Sequence, residues 1–208
     1  MIYILVEGHG EVEAASKLVS KICFNLEYSK VHIAKAIRTA NLHKPDSLIR
    51  SIKTFQYKPN VDGLLIIKDE DDKCPKVEAP KIATVLKGNP MPFPISYHLM
   101  YREFETLFCA YLNEFKGKTI THLITGEIKF KDDIVAPQNP EAKRDAKKLI
   151  TESFQGGRVY KPTVDQLTLT QALDISVLRS LNLPCYGTLE RCIIHLVENK
   201  GKFSVYPK

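Results

Sequence analysis

A nearly unbroken apolar run at the start of the chain, Ile2-Tyr3-Ile4-Leu5-Val6, sets the strongest constraint on the fold. Such a run suits a strand covered on both faces, the condition of a parallel strand inside an α/β sheet. The pattern then changes. Glu7-Gly8-His9-Gly10 supplies turn residues, and from Val12 the apolar positions Ala15, Leu18, Val19, Ile22 and Leu26 recur at helical spacing, which predicts a helix over residues 11–27. Gly8 and Gly10 read as the flexible backbone of a tight strand-to-helix turn. Glu7 then stands at the carboxyl end of a central strand, where ligands bind in open α/β sheets.

A second buried strand is expected at residues 63–67, followed by the acidic loop Lys68-Asp69-Glu70-Asp71-Asp72. If the two strands are neighbours, about 5 Å apart, Glu7 converges with Asp69 and Asp71 at one sheet edge. Carboxylates that close repel one another unless a cation sits among them, and all-oxygen ligation suits Mg2+ or Mn2+ rather than zinc. Taken singly, each acid also reads as an ordinary loop residue or a helix cap.

At these residues the chain resembles the Toprim fold, and in particular the small Toprim-like proteins of the family called domain of unknown function 4276. A Toprim domain carries a Glu after its first strand and Asp-x-Asp after its third, which match Glu7 and Asp69-Glu70-Asp71. Glu7-Gly8-His9-Gly10-Glu11 is similar to the form found in overcoming-lysogenization-defect nucleases. The stretches Asp71-Asp72-Lys73-Cys74-Pro75, Arg102-Glu103-Phe104-Glu105, Lys143-Arg144-Asp145-Ala146-Lys147 and Tyr160-Lys161-Pro162-Thr163-Val164-Asp165-Gln166 resemble the family too. The resemblance implies a metal-dependent nuclease, with Glu103, and beside it Glu105, as further metal ligands or water-positioning acids. It also implies an ATPase partner of the ABC or AAA type, in a phage-defence or mobile-element setting.

The remaining periodicities predict an α/β fold with a mostly parallel four-stranded sheet, helices on both faces and a helical C-terminal extension, and the resemblance implies that this sheet is Toprim-like. Strands are expected at residues 31–37 and 95–99, and helices at 46–56 and within 77–86. A further helix opens around Tyr101-Arg102-Glu103-Phe104. Residues 1–115 form the expected core and residues 116–208 a loop and helical cap packed on it. That second part holds a strand at 121–124 and helices from Glu141 through Phe154, at 164–173 and at 189–197. At 208 residues the chain is long enough for one sizeable core and short of two full domains.

Composition excludes several classes. No apolar run approaches the twenty or so residues of a membrane span, and the chain enters a strand at once rather than a charged region and cleavage site, so a cytoplasmic location is expected. Five cysteines without a Cys-x-x-Cys pair argue against a disulfide framework or zinc ribbon. Glu13 occupies the place of a third glycine after Gly8 and Gly10, and neither a phosphate-binding Gly-x-x-x-x-Gly-Lys nor a Gly-x-Ser-x-Gly elbow is present.

The net charge is +6, and basic residues concentrate in residues 142–161 as Lys143, Arg144, Lys147, Lys148, Arg158 and Lys161. An acidic centre with a basic flank suits a polyanion, although Glu141, Asp145 and Glu152 could instead pair with those bases along a solvated helix. Together with the Toprim resemblance, Glu7 and Asp69-x-Asp71 point to metal-dependent phosphodiester cleavage of DNA or RNA. Glu7, Glu11, Asp69 and Asp71 would hold one or two ions, and Lys147, or failing it Lys143, would neutralise the phosphate. Lys143, Arg144, Lys147, Lys148 and Arg158 are the expected nucleic-acid contacts. The alternative is a non-catalytic Toprim-like module that docks an ATPase.

Overall fold

The structure is a computed structural model and describes residues 1–122 and 124–207. The opening run forms β1 (Ile2–Val6), buried at every position, and the helical pattern after it forms α1 (Glu11–Asn25). Then come β2 (Ile37–Arg38), α2 (Pro45–Lys53) with a 3-10 turn at Thr54–Tyr57, β3 (Gly63–Glu70), α3 (Pro75–Lys87) and β4 (Ile95–Tyr101). Two short helices, α4 (Thr106–Ala110) and α5 (Leu112–Phe115), lead to an antiparallel hairpin of β5 (Thr119–His122) and β6 (Gly126–Lys129). Helices α6 (Ala146–Ser153), α7 (Pro162–Ala172), α8 (Ile175–Ser180) and α9 (Pro184–Glu198) precede a final strand, β7 (Val205–Tyr206).

The chain is a mixed α/β protein. Its main sheet has five strands in the order β2-β1-β3-β4-β7, and every neighbouring pair is parallel. The expected four strands are thus corrected to five. The added strand is two residues of Val205-Tyr206 set against Ile95 and Ser96, too short to leave a periodic signature. The strand expected at residues 31–37 shrinks to Ile37–Arg38, with Ile33 making one isolated bridge to Ile2. The strand expected at 121–124 overlaps β5 at Thr121 and His122; Leu123 lies outside the described residues, and Ile124 is in the turn. The helix expected near Tyr101 begins only at Thr106, because Tyr101 still belongs to β4 and Arg102 takes a left-handed φ of 71° that ends the strand.

Alternation along the buried strands assigns one core to each sheet face. Ile2, Ile4, Val6, Leu65 and Ile67 pack with α1 and with the helices after β4, while Tyr3, Leu5, Leu64 and Ile66 pack with α2 and α3. α7 lies along α1, and α9 covers β4 and β3. Ser96 Oγ, fully buried in β4, donates to the Cys192 carbonyl oxygen of α9 at 2.9 Å, which fixes that helix to the sheet. No helix among the described residues is long and apolar enough to cross a membrane.

Leu196 of α9 is fully buried in the first of these cores. Leu196→Ala should therefore lower the unfolding free energy by about 2–5 kcal/mol in urea titration. A loss below about 1 kcal/mol would mean that α9 is not part of the cooperative core.

Candidate metal centre

The carboxyl edge of the sheet is where the chemistry gathers. β1 and β3 pair in register Leu5 to Ile66, and β3 pairs with β4 as far as Glu70 with Tyr101. The chain leaves β1 through Glu7 into α1 and leaves β4 through Arg102 toward Glu103, Phe104 and Glu105. Between them lies a cleft of about 550 Å³, lined by Glu7, Glu11, Lys68, Asp69, Asp71, Glu105, Lys147, Thr163 and Gln166, with His9 and His43 at its margin.

Asp69 enters this cleft because β3 does not stop at Ile67, as the apolar pattern predicts, but continues to Glu70. Leu65, Ile67 and Asp69 then share one face, and Asp69 is carried into the space beyond the apolar core. Lys68 and Glu70 alternate to the other face. Lys68 Nζ donates to the Asp69 carbonyl oxygen at 2.5 Å and stands 3.6 Å from Glu70. Asp71 lies past the strand end and is exposed at the rim, where its carbonyl oxygen accepts from Arg102 Nη1.

Glu11 opens α1 yet is only 7% exposed. Its carboxylate accepts a hydrogen bond from the Gly8 backbone. Glu105 is 2% exposed and accepts from the Tyr160 hydroxyl at 3.0 Å. Lys147, from α6, reaches in opposite them, bonding Glu103 Oε2 and standing 3.6 Å from Glu105 Oε2.

The electrostatics follow from burial first and crowding second. Burial pushes the Glu11 carboxyl up to about 7, with the negative charges of Glu105 and Glu7 adding to it and the Gly8 hydrogen bond and Lys147 opposing. Burial also holds Asp69 well above the usual carboxylate range, reinforced by Glu11 and Glu105. Glu105 moves the same way, chiefly by burial, against the pull of Lys147. Burial alone would lower Lys147, but Glu105, Glu103 and Asp69 outweigh it and keep the ammonium charged. One lysine thus faces several acids.

Two carboxylate oxygens in the cleft, Glu11 Oε2 and Asp69 Oδ1, are out of reach of solvent and have no hydrogen-bond partner. Buried acceptors left in that state cost free energy unless a donor or cation meets them. Among the described residues no three His, Cys, Asp or Glu side chains form a ready-made metal cluster. Mg2+ does not require one, since it keeps several waters and commonly takes one or two carboxylates plus a phosphate. The hard oxygen donors Glu11 and Asp69 fit that ion, with Glu7 and Glu105 beside them.

The other residues singled out from the sequence are distributed unevenly. Glu7 lines the cleft, but its Oε1 accepts from the Leu42 backbone N–H at 2.7 Å, and His43 lies 3.7 Å away. Glu103 is turned toward α6: Oε1 accepts the Ala146 backbone N–H at 2.9 Å and Oε2 meets Lys147, so it caps the helix that delivers the lysine. Arg158 is spent on Asp165, a buried acid that also accepts from the Lys161 backbone N–H at 2.7 Å. Arg144 pairs with Asp72 at 3.0 Å and Lys148 lies 3.9 Å from Glu152, while Lys143 is exposed. Lys68, Thr163 and Gln166 join the cleft without having been singled out for chemistry. Continuing the strand alternation past Ile67 carries Asp69 inward but gives no sign of Lys68, and the mixed polar and apolar run of α7 does not single out Gln166.

The two glycines of the first turn act differently from the flexible role expected of them. Neither has a positive φ. A Cβ on Gly10 would stand 2.7 Å from the Pro162 carbonyl oxygen and would strike Gln166, and one on Gly8 would strike Glu11. They are small because α7 and the Glu11 carboxylate come close.

The raised Glu11 value has a definite sign for stability. The folded chain holds this proton more tightly than the unfolded chain, so the stabilisation is complete below the unfolded value of 4.5 and is lost as pH rises through about 7. Asp69 acts in the same direction. In EDTA, Glu11→Gln should stabilise the protein at pH 8 by about 1–3 kcal/mol, with the gain shrinking as pH falls toward 4.5. A Glu11→Gln variant less stable than wild type at pH 8 would contradict a buried, unpaired carboxylate.

Comparison with curated proteins and with solved structures returns no match. The model of the family described as Domain of unknown function (DUF4276) matches residues 6–191, a span that holds every acid of the cleft and both Lys147 and Gln166, and the chain belongs to that family.

Proposed function

We propose that this chain is a metal-dependent phosphodiesterase acting on DNA or RNA, with a Toprim-like core that uses Mg2+ or Mn2+. The observation that carries the reading is the pair of buried, unpartnered oxygens on Glu11, which opens the helix after β1, and on Asp69, near the end of the adjacent parallel strand β3. A module that only docked an ATPase would gain nothing from keeping two unpaired acids in its interior, where each costs stability. A cation site gives that cost a return.

Bound there, a divalent ion supplies Lewis acidity toward a phosphate and lowers the pKa of the water it touches. The chain supplies the rest. Glu11 and Asp69 would hold the ion, and Glu7, fixed by the Leu42 N–H, sets the near wall. Glu105, steadied by Tyr160, forms the floor beside Lys147. Lys147 is the counter-charge of Glu103 and Glu105. Its ammonium lines the cleft and would neutralise charge building on the phosphate. Arg102, Arg144 and Lys148 line an adjoining groove with Lys147, among Asp71, Glu103 and Asp145, and would offer positive charge to the polyanion, as would the exposed Lys143.

Labelled single- and double-stranded DNA and RNA, incubated with the protein in Mn2+, Mg2+ or EDTA, test the reading. Cleavage should need the metal and fall by about 100-fold or more in Asp69→Asn and by about 10- to 100-fold in Lys147→Met. Equal cleavage in EDTA, or full cleavage by Asp69→Asn, would rule the mechanism out. If the wild type binds metal but cuts nothing until an ATPase is added, the same site operates under partner control.

A further inference from the structure

We infer that Gln166 is a ligand of the same cation, a neutral oxygen donor that completes the set begun by Glu11 and Asp69. The inference rests on the metal-site reading above and adds to it a residue from a third element, α7. Seven buried side-chain polar atoms lack a hydrogen-bond partner among the described residues, and three of them, Glu11 Oε2, Asp69 Oδ1 and Gln166 Oε1, belong to residues lining this one cleft. Three of the remaining four are nitrogens, scattered elsewhere. The cleft therefore concentrates orphaned acceptors of one kind.

Their chemistry narrows what can satisfy them. Carboxylate oxygens and an amide oxygen are all acceptors, and the Gln166 amide nitrogen is the one permanent donor that these three side chains carry. A proton on one carboxyl supplies a single O–H for three oxygens. A hard cation takes lone pairs from oxygens of just these kinds, and Gln carbonyl oxygens are ordinary ligands of such ions. A neutral third ligand also has an electrostatic merit. Glu7, Glu11, Asp69 and Glu105 already crowd negative charge into this space, and an amide adds coordination without a fifth charge.

Gln166 is also held firmly in the wall of the cleft. It is 2% exposed, and its Oε1 occupies the space that a Cβ on Gly10 would need, directly beside Glu11 in sequence. The start of α7 is braced from below: Asp165 accepts the Lys161 backbone N–H at 2.7 Å and pairs with Arg158, and the Val164 carbonyl oxygen lies 3.0 Å from His122 Nε2. Ile124 and Thr125 donate their backbone N–H groups to His122 Nδ1, which leaves the proton on Nε2 to be given to Val164. This bracing accounts for the chemistry of the Tyr160 to Gln166 stretch as one wall of the site, with Tyr160 holding Glu105 at one end and Gln166 at the other.

The test is Mn2+ binding, read by the loss of the free-ion EPR signal, together with thermal melts in EDTA and in Mn2+, on wild type, Gln166→Met, Gln166→Glu and Asp69→Asn. Methionine keeps the length and removes the oxygen. We expect Gln166→Met to weaken Mn2+ binding by about 10-fold or more while its melting temperature in EDTA holds or rises, since an orphaned acceptor is gone. Gln166→Glu should bind Mn2+ at least as tightly as wild type but melt earlier in EDTA, having gained a further buried acid. Binding within about 2-fold of wild type in Gln166→Met, alongside loss in Asp69→Asn, would overturn the role of Gln166 and leave the metal site standing. A melting temperature in EDTA that falls in Gln166→Met would mean a packing role and would overturn it as well. No Mn2+ binding by the wild type would overturn both.

Discussion

Parallel pairing of β1 with β3 is the constraint on which the site depends. Their register sets Leu5 beside Ile66, so the acids that follow, Glu7 and Glu11 on one chain segment and Asp69 on the other, emerge at the same edge of the sheet. Neither strand is free to slip. Each is buried on both faces, and a shift of one residue would exchange the side chains of the α1 core with those of the α2 and α3 core. The packing that fixes the register therefore also fixes the distance between the carboxylates.

That placement is electrostatically uphill. Burial and mutual repulsion raise the pKa of Glu11, Asp69 and Glu105 together, and a single ammonium, Lys147, answers them. The fold tolerates the arrangement by supporting its members from behind. Glu103 caps α6 and so delivers Lys147, Tyr160 bonds Glu105, and the close approach of α7 to Gly10 seals the far wall. Stability given up in the cleft is regained in the two apolar cores, as is usual where a protein holds a reactive site in advance of its ligand.

Much of this was legible in the sequence, and the parts that were not share a physical cause. The run from Ile2 to Val6 and the change to helical period after Gly10 identify the first strand and helix because burial on both faces and one-sided burial leave different patterns. The same reasoning ends β3 too early, at Ile67, since an apolar run stops where acids begin even when the backbone continues to Glu70. Two-residue strands such as Val205–Tyr206 are set by a neighbour and carry no local period. Charge in the basic stretch is equally silent about use: Arg158 and Lys147 look alike in sequence, yet one is locked to buried Asp165 and the other reaches the cleft. Gln166 stayed hidden for the same reason, because only the docking of α7 on α1 brings it to Glu11.

The central claim is that the cleft between Glu11 and Asp69 is a cation site. Its most direct test is a crystal of the protein soaked in Mn2+ and measured for anomalous scattering. An anomalous peak is predicted within bonding distance of Glu11 and Asp69, with Lys147 drawn away from Glu103 and Glu105. Diffraction that resolves both carboxylates with no peak between them, or with Mn2+ bound only at the exposed Asp71 and Asp72, would contradict it.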